Sequence, residues 1–375
     1  MIAPRRAAAA CVAAFVALVG PALADEVRVE LTPAGLAGPF YLRYPEGALD
    51  TPVPFQLVRG VHPVVSVVVN GDVRLNLLVD SGATVLNLNS DVGSPFIKDL
   101  CFSNGLCFEW LIAAMPQSRY TASRDTPGAI NGLIGYNLLA ALPVSIDYEK
   151  RQLVFGREPG AGAARIAVET RPDDVRPFGR AETGGHDIER ILFDTGSSFV
   201  RLDADTLAAL GDAAVPAGGE IAFSMQKDEI SRLFEITRMC LAADACVTGE
   251  LAQLGAWQAI GGSFWRHFRV TIDAEDSAFV LERYETPPNF INAREKWGLQ
   301  LDLTDAAKIV QVDPGSPAAR AGIAVADRLV AIDGKAILDI GYLGAHALLE
   351  AEGVDLVALD LGRAGGTRNV VLIAD

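Results

Sequence analysis

Ile191-Leu192-Phe193-Asp194-Thr195-Gly196-Ser197-Ser198 is an apolar run that ends on an aspartate in a turn of small hydroxylated residues and glycine. The chain contains a second version, Leu77-Leu78-Val79-Asp80-Ser81-Gly82-Ala83-Thr84. One Asp-Ser/Thr-Gly triplet carries little information, because short patterns recur by chance. Two in the same context predict two apolar strands, each delivering one carboxylate.

The surroundings repeat as well. Before Asp80, Val64 to Val69 and Val73 to Val79 flank Asn70-Gly71, a strong hairpin signal, and Gly184-Gly185 precedes the strand into Asp194. Each aspartate is followed by a Cys-x5-Cys segment, Cys101 to Cys107 and Cys240 to Cys246. Then come Leu133-Ile134-Gly135 with Val144-Ser145-Ile146-Asp147, and Ile260-Gly261-Gly262 with Val270-Thr271-Ile272-Asp273. The same landmarks in the same order mark an internal duplication. The expected architecture is mainly β: two pseudo-symmetric β-barrel lobes, residues 25–160 and 161–286, then a linker at 287–296 and a smaller β-rich unit at 297–375 with two short helices, one of them near Ala345 to Glu350.

Half of the 375 residues are hydrophobic, enough for a substantial core. Arg5 and Arg6, the apolar run Ala7 to Val19 and Ala22-Leu23-Ala24 read as a signal peptide over residues 1–24, which predicts a periplasmic or secreted protein. An uncleaved membrane anchor is the competing reading, against which stand the shortness of the run and Gly20-Pro21. Losing Arg5 and Arg6 takes the formal charge from −15 to −17, which argues against nucleic-acid binding. Export makes disulfides plausible for Cys101, Cys107, Cys240 and Cys246. Zinc is the alternative, but the spacing is unusual for it and no histidine lies near either pair. His62, His186, His267 and His346 are scattered without a ligand pattern, so neither metal nor cofactor is expected.

If the halves pack about a pseudo-twofold axis, Asp80 and Asp194 meet. Two like charges about 3 Å apart repel by roughly 5 kcal/mol at an effective dielectric near 20, so the pair holds one proton between them. One carboxylate is then a base for water and the other an acid for a carbonyl. Gly82 and Gly196 let backbone approach, Ser81 and Thr195 can cross-link the loops, and Ser197 can donate to Asp194 where Ala83 cannot do so for Asp80. The two acids are therefore not expected to be equivalent. Asp147 and Asp273 read as turn residues, and Trp110, Trp257, Trp265 and Trp297 as core or interface.

Asp80-Ser81-Gly82-Ala83 and Asp194-Thr195-Gly196-Ser197, each with an apolar-apolar-Gly element downstream, resemble the two lobes of a retropepsin/pepsin-like aspartic protease over residues 55 to 285. Residues 297 to 375 are similar to a bacterial PDZ domain, with Gly298-Leu299-Gln300-Leu301 in the place of the carboxylate-binding loop and Ser316-Pro317-Ala318-Ala319 as the most specific marker; Ala326-Asp327 departs from the usual Gly-Asp. The resemblance implies an exported endopeptidase acting on polypeptides, with a PDZ domain that takes a C-terminal peptide to recruit substrate or regulate the cleft. It also implies a flap, expected from the second half within 213 to 236 and, if the first half has one, from 108 to 130; Tyr120 is a weak flap candidate. The other reading is a peptide-binding adaptor whose cleft is a relic.

Overall fold

The computed structural model describes residues 26–31, 39–115, 122–157, 159–160, 162–221, 230–286, 288, 291–325, 327–363 and 366–375. The expected signal peptide, Tyr120 and Ala326 lie outside them. Among the described residues the chain is mainly β, and no helix is long and apolar enough to cross a membrane.

The duplication is one of hydrogen-bond pattern. His62–Val69 and Val73–Val79 form a hairpin whose two turn residues, Asn70 and Gly71, have φ of 53° and 85°, the left-handed pair that matches strand twist. Its second strand runs into Asp80 and pairs in parallel with Gly132–Ile134, Leu78 facing Leu133. Asn87–Leu88 flanks Gly132–Ile134 on the other side, antiparallel. In the second half Asp174–Thr183 and His186–Phe193 form the hairpin, which pairs in parallel with Ala259–Ile260, Leu192 facing Ala259. Val200–Leu202 takes the outer place, Arg201 facing Ala259. The Asp80 amide donates to the Ile134 carbonyl and the Asp194 amide to the Ile260 carbonyl, each at 3.0 Å.

The halves are joined at Val144–Asp147 and Phe268–Asp273, which pair antiparallel with Ser145 opposite Thr271. Both residues are buried and their hydroxyls lie 2.7 Å apart. Alternation turns Leu77, Val79, Ile191 and Phe193 inward, onto one core that continues through Ile146, Val270, Trp265 and Phe279. Asp147 and Asp273 close the following turns: Asp147 accepts from the Lys150 amide and Arg269, Asp273 from the Asp276 amide and Arg165. Cys101–Cys107 and Cys240–Cys246 are disulfides between facing residues of two hairpins.

Three expectations change. Cys107–Ile112, which takes in the start of the first-half flap region, is a strand of the main sheet, held there by pairing with Phe96–Cys101 and Phe40–Pro45 on its two edges. In the second half Ala214–Ile221 and Ile230–Ala242 do form a long hairpin, its tip outside the described residues. The linker is partly helical, since Asn292 caps Ala293–Trp297 through the Arg294 amide. The short helix near Ala345 starts earlier and covers Ile337–Leu349; Gly341, at φ 62° and ψ −163°, interrupts it and breaks the period that would reveal its first turn.

The C-terminal unit combines Leu299–Leu301 and Ile309–Val312 with a four-stranded sheet and the helix Ile337–Leu349. That helix docks on the first half. The Leu343 amide donates to the Gly128 carbonyl at 2.8 Å, the Leu343 carbonyl accepts from Gln56 Nε2 at 2.6 Å, and Glu350 accepts from the Arg59 and Ala293 amides.

Thr271→Val leaves the buried Ser145 hydroxyl unpaired and is expected to cost about 1–3 kcal/mol. Adding Ser145→Ala should recover part of that loss, as a double-mutant cycle in urea would measure.

Candidate active site

The core positions the site. Val79 and Phe193 are fully buried strand ends, so the residues that follow them must turn at the boundary between the halves. Each turn closes on its own carboxylate: Asp80 Oδ1 accepts from the Ala83 amide at 3.0 Å, and Asp194 Oδ1 from the Gly196 and Ser197 amides at 2.9 and 3.0 Å.

The two turns then brace each other. Thr195 Oγ1 donates to the Val79 carbonyl at 2.8 Å and accepts from the Ser81 amide at 3.0 Å. Ser81 Oγ donates to the Phe193 carbonyl at 2.7 Å and accepts from the Thr195 amide at 3.0 Å. Both side chains are fully buried, so each hydroxyl satisfies a donor and an acceptor that water cannot reach. The glycines close the gap. A Cβ on Gly82 would lie 2.3–2.6 Å from the Asp194 carboxylate, and one on Gly196 would lie 2.3–2.7 Å from that of Asp80. Any larger residue would push the acids apart.

Each carboxyl lies against the glycine of the other's turn, which brings Asp80 and Asp194 together. Each keeps some accessible surface, yet the surrounding protein strips most of its hydration. That desolvation pushes the Asp80 carboxyl well above the usual carboxylate range, and the charge of Asp194 adds to it. Asp194 is also raised by desolvation, but the Arg201 guanidinium, the Asp80 carboxyl and the Gly196 and Ser197 amides hold it back. Both carboxyls are thus raised, Asp80 more strongly than Asp194.

The sequence placed the asymmetry elsewhere. The Ser197 hydroxyl donates to the Phe199 carbonyl at 3.2 Å, not to Asp194, because the backbone amides already occupy Asp194 Oδ1. The Ala83 amide gives Asp80 the equivalent contact. Arg201 was missed, although one signal was present: a cation between the apolar strand residues Val200 and Leu202 must face away from their core.

Alternation also defines the walls. Leu78 and Leu192, two residues before the aspartates, face away from the core that Val79 and Phe193 enter. In the second half Leu192 joins only Phe178 and Ala259 there. In the first half Leu78, with Val58, Val64, Ile130 and Leu133, is continuous with the core of the C-terminal unit, including Trp297, Leu299 and Leu343. His62 is buried beneath this junction, with Nε2 2.9 Å from Ser198 Oγ. Burial and the Arg59 charge hold its pKa well below the ordinary histidine value.

Asp80, Ser81, Gly82, Asp194, Thr195 and Gly196 thus converge, with Ser197 contributing its amide. Gly298 to Leu301 belong to the C-terminal unit, where Leu299, Gln300 and Leu301 are only 1%, 4% and 1% exposed. The disulfides lie on the hairpins. No cluster of three or more His, Cys, Asp or Glu suited to a metal occurs among the described residues.

The PDZ domain family model matches residues 308–361. No curated protein matches the chain.

Thr195→Val removes both contacts of that hydroxyl and should destabilise the protein by about 2–4 kcal/mol. Thr195→Ser should recover most of the loss, as paired urea titrations would report.

Proposed function

We propose that the chain is an exported aspartic endopeptidase that hydrolyses polypeptides at Asp80 and Asp194, with its PDZ domain regulating access. The observation that carries this reading is the braced carboxylate pair, each acid lying against the glycine of the other turn. Sharing of one proton is the established behaviour of closely paired aspartates. Here Asp194, ionised, takes a proton from a water molecule while Asp80, protonated, donates to the scissile carbonyl oxygen. The oxygen of that water bonds to the carbonyl carbon and a tetrahedral diol forms. Its collapse breaks the C–N bond as the leaving nitrogen takes a proton back, so no covalent enzyme intermediate is needed. The resemblance of both aspartate turns to the retropepsin/pepsin-like family, and the match of residues 308–361 to the PDZ domain, support the assignment.

Regulation is supported by what covers the walls. The face of the first half that carries Leu78 is packed against the PDZ helix Ile337–Leu349 and its neighbours, whereas the matching face of the second half is lined by its own side chains. Glu350 ties the packing, since its carboxylate meets the Arg59 amide of the first half, the Ala293 amide and His346 Nδ1. The adaptor reading draws on the same covered face: the described peptide strand Leu299–Leu301 would then serve binding alone.

The mature chain should cleave an unfolded polypeptide, and Asp80→Asn or Asp194→Asn should lower kcat by at least about 10³; full activity in either variant would refute the mechanism. Asp80→Asn should also raise the urea midpoint at pH 7, because the raised pKa means that ionising Asp80 costs the folded state. That gain should shrink as pH falls into the ordinary carboxylate range, where Asp80 is protonated in both folded and unfolded chains. If the PDZ domain masks the wall, Glu350→Ala should speed hydrolysis of a short peptide.

A further inference from the structure

Arg201 sits on the wall beside the dyad, where its charge acts on Asp194. Strand register places Phe178 opposite Leu192, Leu192 opposite Ala259 and Ala259 opposite Arg201, one row across the sheet. Val200 and Leu202 are fully buried in the core, so Arg201 turns to the other face, the one that carries Leu192 and, two residues on, Asp194. Ile260, next to Ala259, accepts the Asp194 amide, which puts Asp194 two strands across and two residues along from Arg201, roughly 12 Å between the backbones and within reach of an arginine side chain's charge.

The side chain is held for use from one direction. Its stem runs over Gly255, where a Cβ would come within 2.2 Å of Cγ and 2.3 Å of Cδ. Its guanidinium lies over the Trp257 ring, Cζ 4.6 Å from the centroid, and Trp257 is 45% exposed. Nε is buried with no hydrogen-bond partner, and among the described residues the only carboxylate acting on the group's charge is that of Asp194. Arg176, on the same face, differs: Nε and Nη2 fork onto Asp174 at 2.8 Å each. A planar cation stacked on an aromatic ring, with its fork unfilled, is built for a carboxylate.

We infer that Arg201 and Trp257 form a subsite for an acidic side chain of the substrate, so that the enzyme selects Asp or Glu close to the scissile bond. The inference rests on the endopeptidase reading for its substrate and on the register for its geometry. In a chain of formal charge −15, a local cation is also what lets an acidic segment approach the dyad.

The test uses the full-length mature chain and peptides identical except for Glu or Gln at each position flanking the scissile bond, with free or amidated C-termini. Wild type should favour Glu at one position by at least about tenfold in kcat/KM, a charge-assisted contact. The Glu-to-Gln ratio should fall to near one in Arg201→Gln, be partly kept in Arg201→Lys, and drop below one in Arg201→Glu. Ratios within one variant are independent of any overall loss of rate. Trp257→Leu, a surface change, should lower the ratio if the Arg201 variants do not fold. A wild-type ratio near one at every position, a ratio kept in Arg201→Gln, or an advantage that vanishes on amidation would overturn the inference. Anisotropy with the same peptides and Asp80→Asn separates the two readings. Tighter Glu-peptide binding that depends on Arg201, without turnover in wild type, would refute the endopeptidase and keep the subsite; cleavage without Glu preference would do the reverse.

Discussion

Four hydrogen bonds made by two buried hydroxyls decide the geometry of this molecule's centre. Ser81 and Thr195 each reach across to the strand end of the other half and accept that half's turn amide. A typical buried hydrogen bond contributes about 1 kcal/mol net, so the four do not hold the halves together. The shared core through Val79, Phe193, Trp265 and Phe279 does that. The brace sets alignment: with every local donor and acceptor satisfied, any shear between the halves would strand polar groups in a dry interior. Gly82 and Gly196 then convert alignment into contact, because each backbone lies against the other half's carboxylate.

The repeated strand pattern that brings the pair together is broken twice. Electrostatically, the second half contributes Arg201, which faces the Asp194 side and lets that carboxylate hold the charge, while Asp80 answers to desolvation and to its partner. Sterically, the first half gives its outward wall to the PDZ helix and the second keeps its own. The backbone duplication supplies two equal acids, and side chains outside the repeated motif make them unequal.

Much of the fold was legible because the duplication is written in short local signals. Asn70-Gly71 marks a hairpin through its left-handed turn, apolar runs ending in Asp mark buried strands, and Val-Ser/Thr-Ile-Asp recurs where the two halves pair. The Cys-x5-Cys spacing suited hairpin cross-links, and both pairs are joined. Less legible was whatever depends on what a strand lies beside. Cys107–Ile112 reads locally as any hairpin strand would, and its pairing on both edges, with Phe96–Cys101 and Phe40–Pro45, makes it part of the sheet. Ser197 has a hydroxyl, but the competition between its own amide and its side chain for Asp194 is settled by loop geometry.

The sequence by itself determined that there are two aspartate turns, that each ends a buried strand, and that hydroxyls and glycines flank them, because those are local requirements of backbone conformation and burial. Tertiary structure alone decided that Arg201 faces the dyad, that Asp80 is raised more strongly than Asp194, and that the PDZ helix covers one wall. The reason is physical: charge, desolvation and steric access are set by groups far apart in the chain and near in space, and no local pattern carries that distance.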